Sequence, residues 1–90
     1  MTMHEISKLP YKNDRKSIPQ IAGIYFLVKN NILLYVGQSK NIRKRLSGHK
    51  TLFEIYKPKI YYYEMNTDLL RTTLEKKFIN ELKPLMNITI

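Results

Sequence analysis

Two short apolar stretches, residues 23–28 and 32–37, lie close together in the first half of the chain, separated by the polar tripeptide 29–31. Both are rich in β-branched and aromatic residues, which favour strands. Two such runs joined by a short polar loop predict a β-hairpin.

A three-residue loop gives this hairpin a consistent register. It pairs Ile24 with Val36 and places Tyr25 opposite Tyr35, so one face is wholly apolar and the two tyrosines share the other. A two-residue Asn30-Asn31 loop would pair Tyr25 with Val36 and mix the faces, because a one-residue slip moves every side chain to the opposite side, so it is not the predicted turn. The predicted buried face consists of Ile24, Phe26, Leu34 and Val36, and the tyrosine face also holds Leu27 and Leu33.

A basic helical segment follows the second strand. Ser39 or Asn41 can cap its first turn, and the helix is predicted to run to about His49. Arg45 and His49 are four residues apart and therefore lie on one helix face.

The second half of the chain predicts one more strand and a longer helix. Residues 59–65 have the aromatic character of a strand, and Asn66 or Thr67 can cap a helix that ends before Pro84. Glu75 borders the apolar side of this helix and should point toward the sheet edge. The apolar stripe is predicted to consist of Leu70, Leu74, Phe78 and Leu82.

The predicted order of elements is β-β-α-β-α. It indicates an α/β protein of the α+β type, with a small three-stranded antiparallel sheet flanked by helices. Ninety residues suffice for one domain with a thin core. Residues 1–18 are polar and basic and are predicted to form an N-terminal arm, and residues 19–90 the single folded domain.

The charge balance points to a polyanionic partner. The chain has sixteen lysines and arginines and seven acidic residues, which gives a net charge of +9. This charge would suit nucleic acid, an anionic membrane or an acidic protein partner, or it would simply keep the protein soluble. Clustering favours nucleic acid, because five cations fall within eleven positions; besides Arg45, they are the candidate contacts Lys40, Arg43, Lys44 and Lys50.

Other compartments and chemistries are disfavoured. There is no cysteine for a disulfide or a thiolate zinc site, and two histidines cannot build a histidine-rich metal cage. Neither a signal-peptide-length nor a membrane-spanning apolar run occurs. An intracellular protein, cytoplasmic or nucleoid-associated and without membrane contact, is expected.

The motifs resemble one nuclease family. Gly23-Ile24-Tyr25 and Tyr35-Val36-Gly37 match the two name-giving tripeptides of the GIY-YIG nuclease superfamily, with valine in place of the usual isoleucine. Arg45 follows the second motif tyrosine at the family spacing of ten residues, and the resemblance extends from about Pro19 to Asn87. It further matches His49, Glu75 and Asn87 to the family's histidine, metal-binding glutamate and closing asparagine.

The resemblance implies hydrolysis of a phosphodiester with one divalent cation, Mg²⁺ or Mn²⁺. Glu75 would give the cation a hard oxygen ligand, and Arg45 would hold the scissile phosphate and its developing charge. Tyr25, or alternatively Tyr35, would take the proton from the attacking water. Because tyrosine ordinarily titrates near about 10, nearby cations would have to favour its phenolate.

Two further residues would support this chemistry. His49 would hydrogen-bond Tyr25 or the phosphate, or shuttle a proton, and Asn87 would orient Glu75 or the C-terminal tail. Each candidate also has a purely structural interpretation, such as a solvated helix glutamate or arginine, a helix-end histidine or a turn asparagine. Gln38 departs from the pattern, since some branches of the family carry a lysine at that position.

The resulting prediction is a metal-dependent DNA endonuclease. Because the chain ends shortly after Asn87, it is expected to lack a targeting domain and to be weakly specific, structure-guided, or dependent on a homodimer or a targeting protein. The alternatives are a non-cleaving nucleic-acid binding module and a nuclease subunit directed by a separate partner. DNA is preferred over RNA, and single-stranded, duplex and branched substrates stay open.

Overall fold

A computed structural model describes residues 1–87, which form a four-stranded antiparallel sheet with helices on both faces. The strand order is β1-β4-β2-β3. Residues 88–90, the last three of the predicted domain, lie outside the described residues. In chain order the elements are α1 (Met3–Ile6), β1 (Tyr11–Lys12), a 3₁₀ turn (Arg15–Ser17), β2 (Gly23–Lys29), β3 (Ile32–Ser39), α2 (Ile42–Leu46), a second 3₁₀ turn (Ser47–His49), α3 (Lys50–Tyr56), β4 (Lys59–Glu64) and α4 (Asp68–Leu82).

The predicted α+β fold is confirmed, but the prediction of three strands is wrong. A fourth strand, β1, pairs with β4 through Tyr11 opposite Tyr61 and Lys12 opposite Ile60. A two-residue strand is too short to show a hydrophobic period, so the sequence pattern did not reveal it. The segment predicted as an arm, residues 1–18, thus contributes to the sheet.

The hairpin turn has two residues, so the three-residue loop was a wrong prediction. Asn30 and Asn31 both have positive φ angles, 51° and 62°, as a tight turn between twisted strands requires. Asparagine tolerates this left-handed region better than most residues. Tyr25 consequently pairs with Gly37, and the predicted pairing of Tyr25 with Tyr35 is corrected.

A β-bulge just beyond the turn explains why the faces were nevertheless mostly predicted correctly. Leu34 and Tyr35 both stand opposite Leu27, so β3 carries one extra residue. Turn and bulge together shift the register by two positions, which preserves the shared face of Tyr25 and Tyr35. Only the positions at the bulge change sides: Leu34 packs with the tyrosines and Leu33 with the opposite core.

The sheet separates two small cores. Helices α4 and α1 cover one face, where Phe26 and Phe78 pack with their ring centroids 5.9 Å apart. Helices α2 and α3 cover the tyrosine face, into which α2 inserts Ile42 and Leu46. The tyrosine face is therefore enclosed by the basic helix predicted to follow the hairpin.

The helix boundaries follow recognisable caps. The side chain of Asn41 accepts a hydrogen bond from the backbone N–H of Lys44 at 3.1 Å, which starts α2. At the other end of the chain, Lys83 adopts a left-handed conformation after α4, immediately before Pro84. Residues 50–56, for which the sequence pattern predicted no element, form α3.

Helix α4 presents a different stripe from the predicted one at its first turn. Leu70 is 50 % exposed, whereas the neighbouring Arg71 is only 3 % exposed. Phe78 occupies the core as predicted, and Leu74 and Leu82 pack against it. None of the helices within residues 1–87 combines the length and apolar character that crossing a membrane demands.

Candidate active site

Close packing explains both motif glycines. Gly37 lies directly opposite Tyr25, and the Tyr25 ring lies across it so closely that a Cβ at position 37 would overlap the ring. Gly23 is likewise pressed against the backbone carbonyl of Tyr63 on the neighbouring strand. Any side chain at Gly37 would displace Tyr25, so this glycine sets the position of the tyrosine.

Tyr25, Tyr35 and His49 form an aromatic cluster on the α2 face of the sheet. The Tyr25 hydroxyl is hydrogen-bonded to His49 Nε2 at 2.9 Å. The two tyrosine rings stack with centroids 6.0 Å apart, and the His49 ring meets Tyr35 edge-on at 4.6 Å. The 3₁₀ turn 47–49 carries His49 back over the sheet from the end of α2. These three predicted site residues are therefore in mutual contact.

Burial governs the protonation of this cluster. Tyr25 is fully buried, and this burial, helped by Tyr35, raises its pKa well above the ordinary value, although the Arg45 guanidinium acts in the opposite direction. Burial and then Arg45 lower the pKa of His49. The expectation that nearby cations favour the Tyr25 phenolate is thus wrong for the protein alone, since desolvation outweighs the cation. At neutral pH both side chains are uncharged.

Arg45 is the charge that links the candidate residues. It lies on the last turn of α2, beside Gly48, whose missing side chain leaves room for the guanidinium. The guanidinium lowers the pKa of Tyr25, of His49 and of Glu75, and therefore lies within electrostatic reach of all three. Arg45 itself is exposed, so its remaining donors are open to an anion.

Glu75 reaches this cluster from the opposite face of the sheet. It is half-buried on α4, and burial raises its pKa, opposed by the backbone N–H of Gln38, by Arg45 and by Lys76. Glu75 in turn raises the pKa of Tyr25. The carboxylate therefore lies at the end of β3, next to the second motif; the sequence had predicted only that it points toward the sheet edge.

The donor set around Glu75 fits a cation that keeps most of its own water. Within residues 1–87 no three histidine, cysteine or acidic side chains converge on one point. One hard carboxylate oxygen, completed by water and substrate oxygens, matches the coordination that Mg²⁺ prefers. Softer metals that need several nitrogen or sulfur ligands would find too few here.

Asn87 binds the backbone of the second motif. Its Oδ1 accepts from the Val36 N–H at 2.8 Å, and its Nδ2 donates to the Val36 carbonyl at 2.9 Å. Residues 85 and 86 add backbone hydrogen bonds to Leu33 and Leu34. The chain end thus fastens the edge strand β3, and Asn87 bonds to this strand and not to Glu75.

The predicted nucleic-acid contacts lie around α2 but differ in their surroundings. Lys40 is 3.6 Å from Asp68, and Arg43 donates through Nε to the Ile18 carbonyl at 2.7 Å. Lys44 and Lys50 are exposed. Arg43 and Lys44 lie on α2 together with Arg45, and Lys40 precedes this helix. Lys50 begins the next helix, α3.

Arg71 is the residue near the site that sequence reasoning missed. Its guanidinium, buried beneath the start of α4, donates to Gln38 Oε1 at 2.8 Å, to the Met65 carbonyl at 3.1 Å and to Asp68. It thereby joins α4 to the ends of β3 and β4. The available signals were the unusual Gln38 and the three-residue spacing of Asp68 and Arg71.

Sequence comparison finds relatives much longer than this chain. No protein-family model matches it. It is 36 % identical over 92 residues to UvrABC system protein C of Wolbachia pipientis wMel, which covers 89 % of this chain and 15 % of that protein. The protein of the same name from Fusobacterium nucleatum is 30 % identical over 82 residues, covering 81 % of this chain and 14 % of the relative. This chain therefore spans about a seventh of the length of these relatives.

Solved structures of one bacterial domain share the fold. The magnesium-bound GIY-YIG N-terminal endonuclease domain of UvrC from Thermotoga maritima superimposes with a TM-score of 0.71 at 19 % identity, covering 98 % of this chain and 100 % of that domain. A point mutant of the same domain, bound to its catalytic divalent cation, gives a TM-score of 0.73 at 17 % identity over 99 % of this chain. With both motifs on the expected strands, the predicted resemblance to the GIY-YIG superfamily is confirmed, and this chain has the fold of that endonuclease domain.

Proposed function

We propose that this chain is a metal-dependent endonuclease that hydrolyses phosphodiester bonds in DNA. The observation that carries the proposal is the convergence of Tyr25, His49, Arg45 and Glu75 at the end of β3. A phenol and a neutral imidazole can transfer a proton, an exposed guanidinium can stabilise phosphate charge, and a carboxylate can hold a metal ion, so this set can support phosphodiester hydrolysis. The similar domain of UvrC is an endonuclease domain bound to a catalytic divalent cation, which supports the same activity here.

Glu75 would hold the divalent cation, Mg²⁺ or Mn²⁺. When bound, the cation neutralises charge on the phosphate and lowers the pKa of water next to it. The raised pKa of Glu75 means that protons compete for this carboxylate more strongly than for an exposed one, so binding should weaken in mild acid. The Gln38 backbone N–H and the Arg45 guanidinium counter this by favouring the charged form.

Tyr25 would act as a proton relay and not as a preformed phenolate. As water attacks phosphorus, the Tyr25 oxygen accepts a proton from that water and passes its own hydroxyl proton to His49 Nε2, 2.9 Å away. The bond from phosphorus to the leaving oxygen breaks, and that oxygen takes a proton from solvent. The lowered pKa of His49 keeps the imidazole uncharged at neutral pH, and the relay uses the tautomer in which Nδ1 carries the proton and Nε2 accepts.

Arg45 and Tyr35 complete the site. The Arg45 guanidinium would donate to the non-bridging oxygens of the scissile phosphate, where negative charge increases during attack. Tyr35 stacks on Tyr25 and contacts His49, so it would fix both rings and could offer its half-exposed hydroxyl to the water or the phosphate. Asn87 would act indirectly, by fixing the strand that carries Tyr35 and Gly37.

A binding module that does not cleave is the second candidate function. The net charge of +9 would serve it equally well. A pure binding function, however, gives no reason for a half-buried Glu75 carboxylate near Arg45. A carboxylate there would repel the phosphates of the DNA unless a metal cation lay between them. Dependence on a homodimer or on a separate targeting protein, and an intracellular location, stay predictions.

The decisive experiment compares cleavage of labelled single-stranded, duplex and branched DNA in Mg²⁺, Mn²⁺ and EDTA. Wild type should cut with either metal and not in EDTA, and Glu75→Gln should be inactive while binding DNA and melting like wild type. Glu54→Gln, an exposed glutamate on α3, is the matched control and should cut normally. Cleavage by Glu75→Gln, or by wild type in EDTA, would refute the metal role; DNA binding without cleavage under every condition would favour the binding module.

A further inference from the structure

A second basic groove adjoins the site and involves the N-terminal segment. This groove, of about 370 Å³, is lined by four cations from two separate parts of the chain: Arg15, Lys16, Arg43 and Lys44. It shares the residues Asn41, Lys44 and Ser47 with a neighbouring groove that contains Arg45. The two depressions therefore adjoin along α2, from its N-cap Asn41 to its C-cap Ser47.

Two of the four cations of this groove are held in place without being neutralised. The Arg15 guanidinium lies 5.4 Å above the centre of the Phe53 ring, and Arg43 is anchored through Nε to the Ile18 carbonyl. Both partners are uncharged, and Arg43 keeps its other donors free for an anion. None of the ion pairs found within residues 1–87 involves a cation of this groove.

A capped 3₁₀ turn and a buried side chain place Arg15 and Lys16 next to α2. The side chain of Asp14 accepts from the Lys16 backbone N–H at 3.1 Å and starts the 3₁₀ turn that displays Arg15 and Lys16. The fully buried Ile18 then anchors that turn beneath α2. Asp14 is the acid nearest in sequence to these cations; its carboxylate is tied to the turn and does not line the groove.

We infer that this groove binds the DNA backbone beyond the scissile phosphate, with Arg15 and Lys16 as phosphate contacts. The inference rests on the proposed function and deepens it, because it gives the substrate a direction. The DNA backbone would run from Arg45 across α2 at Lys44 to the 3₁₀ turn that carries Arg15 and Lys16. The segment predicted as a basic arm is then part of the substrate-binding surface.

The magnitude follows from counterion release. Each phosphate neutralised on duplex DNA contributes about 0.9 to the slope of log K against log salt. Loss of two contacts should lower the slope by about 1.8, so a variant that binds like wild type at 1 M salt should bind about 60-fold more weakly than wild type at 0.1 M. If these cations acted only by non-specific long-range attraction, their removal would reduce the slope less. Removal of any two exposed lysines would then reduce the slope by the same amount.

The test measures binding of a labelled DNA duplex by fluorescence anisotropy in EDTA, between 0.05 M and 0.3 M salt. Arg15→Gln/Lys16→Gln is compared with Lys29→Gln/Lys77→Gln, which removes the same charge from exposed positions outside both grooves. The groove variant should show the slope reduction and the control almost none. The double variant loses the contact between Arg15 and Phe53 and could therefore unfold. The single variant Lys16→Glu keeps that contact and changes only an exposed side chain, and it should also reduce the salt slope of DNA binding.

The outcomes are distinct. Equal slopes for the groove variant and its control, or an unchanged slope for Lys16→Glu, would overturn the inference, as would wild type without salt-dependent DNA binding. If wild type binds with the expected slope differences but does not cut DNA in Mg²⁺ or Mn²⁺, the proposed nuclease function fails and the groove assignment stands.

Discussion

Replacing Asn87 with alanine should destabilise the protein and slow cleavage without changing its affinity for the metal. The side chain makes two hydrogen bonds to Val36, a residue that is completely buried in the edge strand β3. At about 0.5–1.5 kcal/mol for each hydrogen bond, their loss should cost about 1–3 kcal/mol of unfolding free energy. For a domain of this size, a loss of about 2 kcal/mol corresponds to a fall in Tm of about 8–16 °C.

Two control variants separate the hydrogen bonds from other effects. Asn87→Asp conserves the volume and one acceptor but replaces the donor with a carboxylate facing the Val36 carbonyl, so it should be destabilised at least as much as Asn87→Ala. Asn80→Ala removes an exposed asparagine from α4 and should melt within about 0.5 kcal/mol of wild type. Thermal and urea melts followed by circular dichroism measure all three.

Kinetics then distinguish the fastening of β3, which follows from the hydrogen bonds to Val36, from the orientation of Glu75, one of the two roles that the sequence predicted for Asn87. If Asn87 fixes β3, the turnover of Asn87→Ala should fall because Tyr35 and Gly37 shift, while the Mg²⁺ concentration for half-maximal rate should stay unchanged. If it instead orients Glu75, that concentration should rise. Loss of cleavage with an unchanged Tm would refute the strand-fastening role and place Asn87 in the chemistry itself.

The remaining predictions concern the aromatic cluster and Arg45. Tyr25→Phe should abolish detectable cleavage while keeping DNA affinity, whereas Tyr35→Phe should be milder; full activity of Tyr25→Phe would eliminate the proton relay. Arg45→Ala should lower turnover by about 10²–10³, whereas Arg43→Ala should mainly reduce the salt slope of binding by about 1; equal losses of turnover would refute their separate roles. In a pH–rate profile, activity should fall as the pH drops through the pKa of His49, which lies below its ordinary value of 6.5, because only neutral imidazole accepts the proton. His49→Gln should lose this acid limb, and a limb that persists unchanged would have to be assigned to Glu75.

Local sequence patterns were sufficient where a feature depends on neighbours along the chain. The two apolar runs rich in β-branched and aromatic residues predicted β2 and β3, and Asn41 was one of two helix caps predicted from residue type. The exact register was not predictable in this way, because the bulge at Leu34 depends on how the two-residue turn meets the sheet twist. The two-position shift that it completes left Tyr25 and Tyr35 on one face, so their shared face was predicted correctly although their pairing was not.

Features that depend on distant partners were not predictable from periodicity. Arg71 occupies a buried position in α4 where an apolar stripe was expected to continue with Leu70, and only its acceptors on Gln38, Met65 and Asp68 make that burial tolerable. The pKa of Tyr25 is a similar case. Sequence shows cations nearby, but the fully enclosed ring, and hence the desolvation that outweighs them, is visible only in the fold.

The unusual Gln38 links these two observations. A lysine at this position would place a cation at the end of β3, beside the buried Arg71, and the two positive charges would repel each other in a poorly solvated site. Glutamine instead offers Arg71 a neutral acceptor through its side chain, and its backbone N–H favours the ionised form of Glu75. Gln38 thus connects the arginine that anchors α4 to the carboxylate that would hold the cation. Without a lysine near the phenol, the proposed proton transfer from Tyr25 would depend on its hydrogen bond to His49, so the pKa of this histidine should set the acid limit of activity.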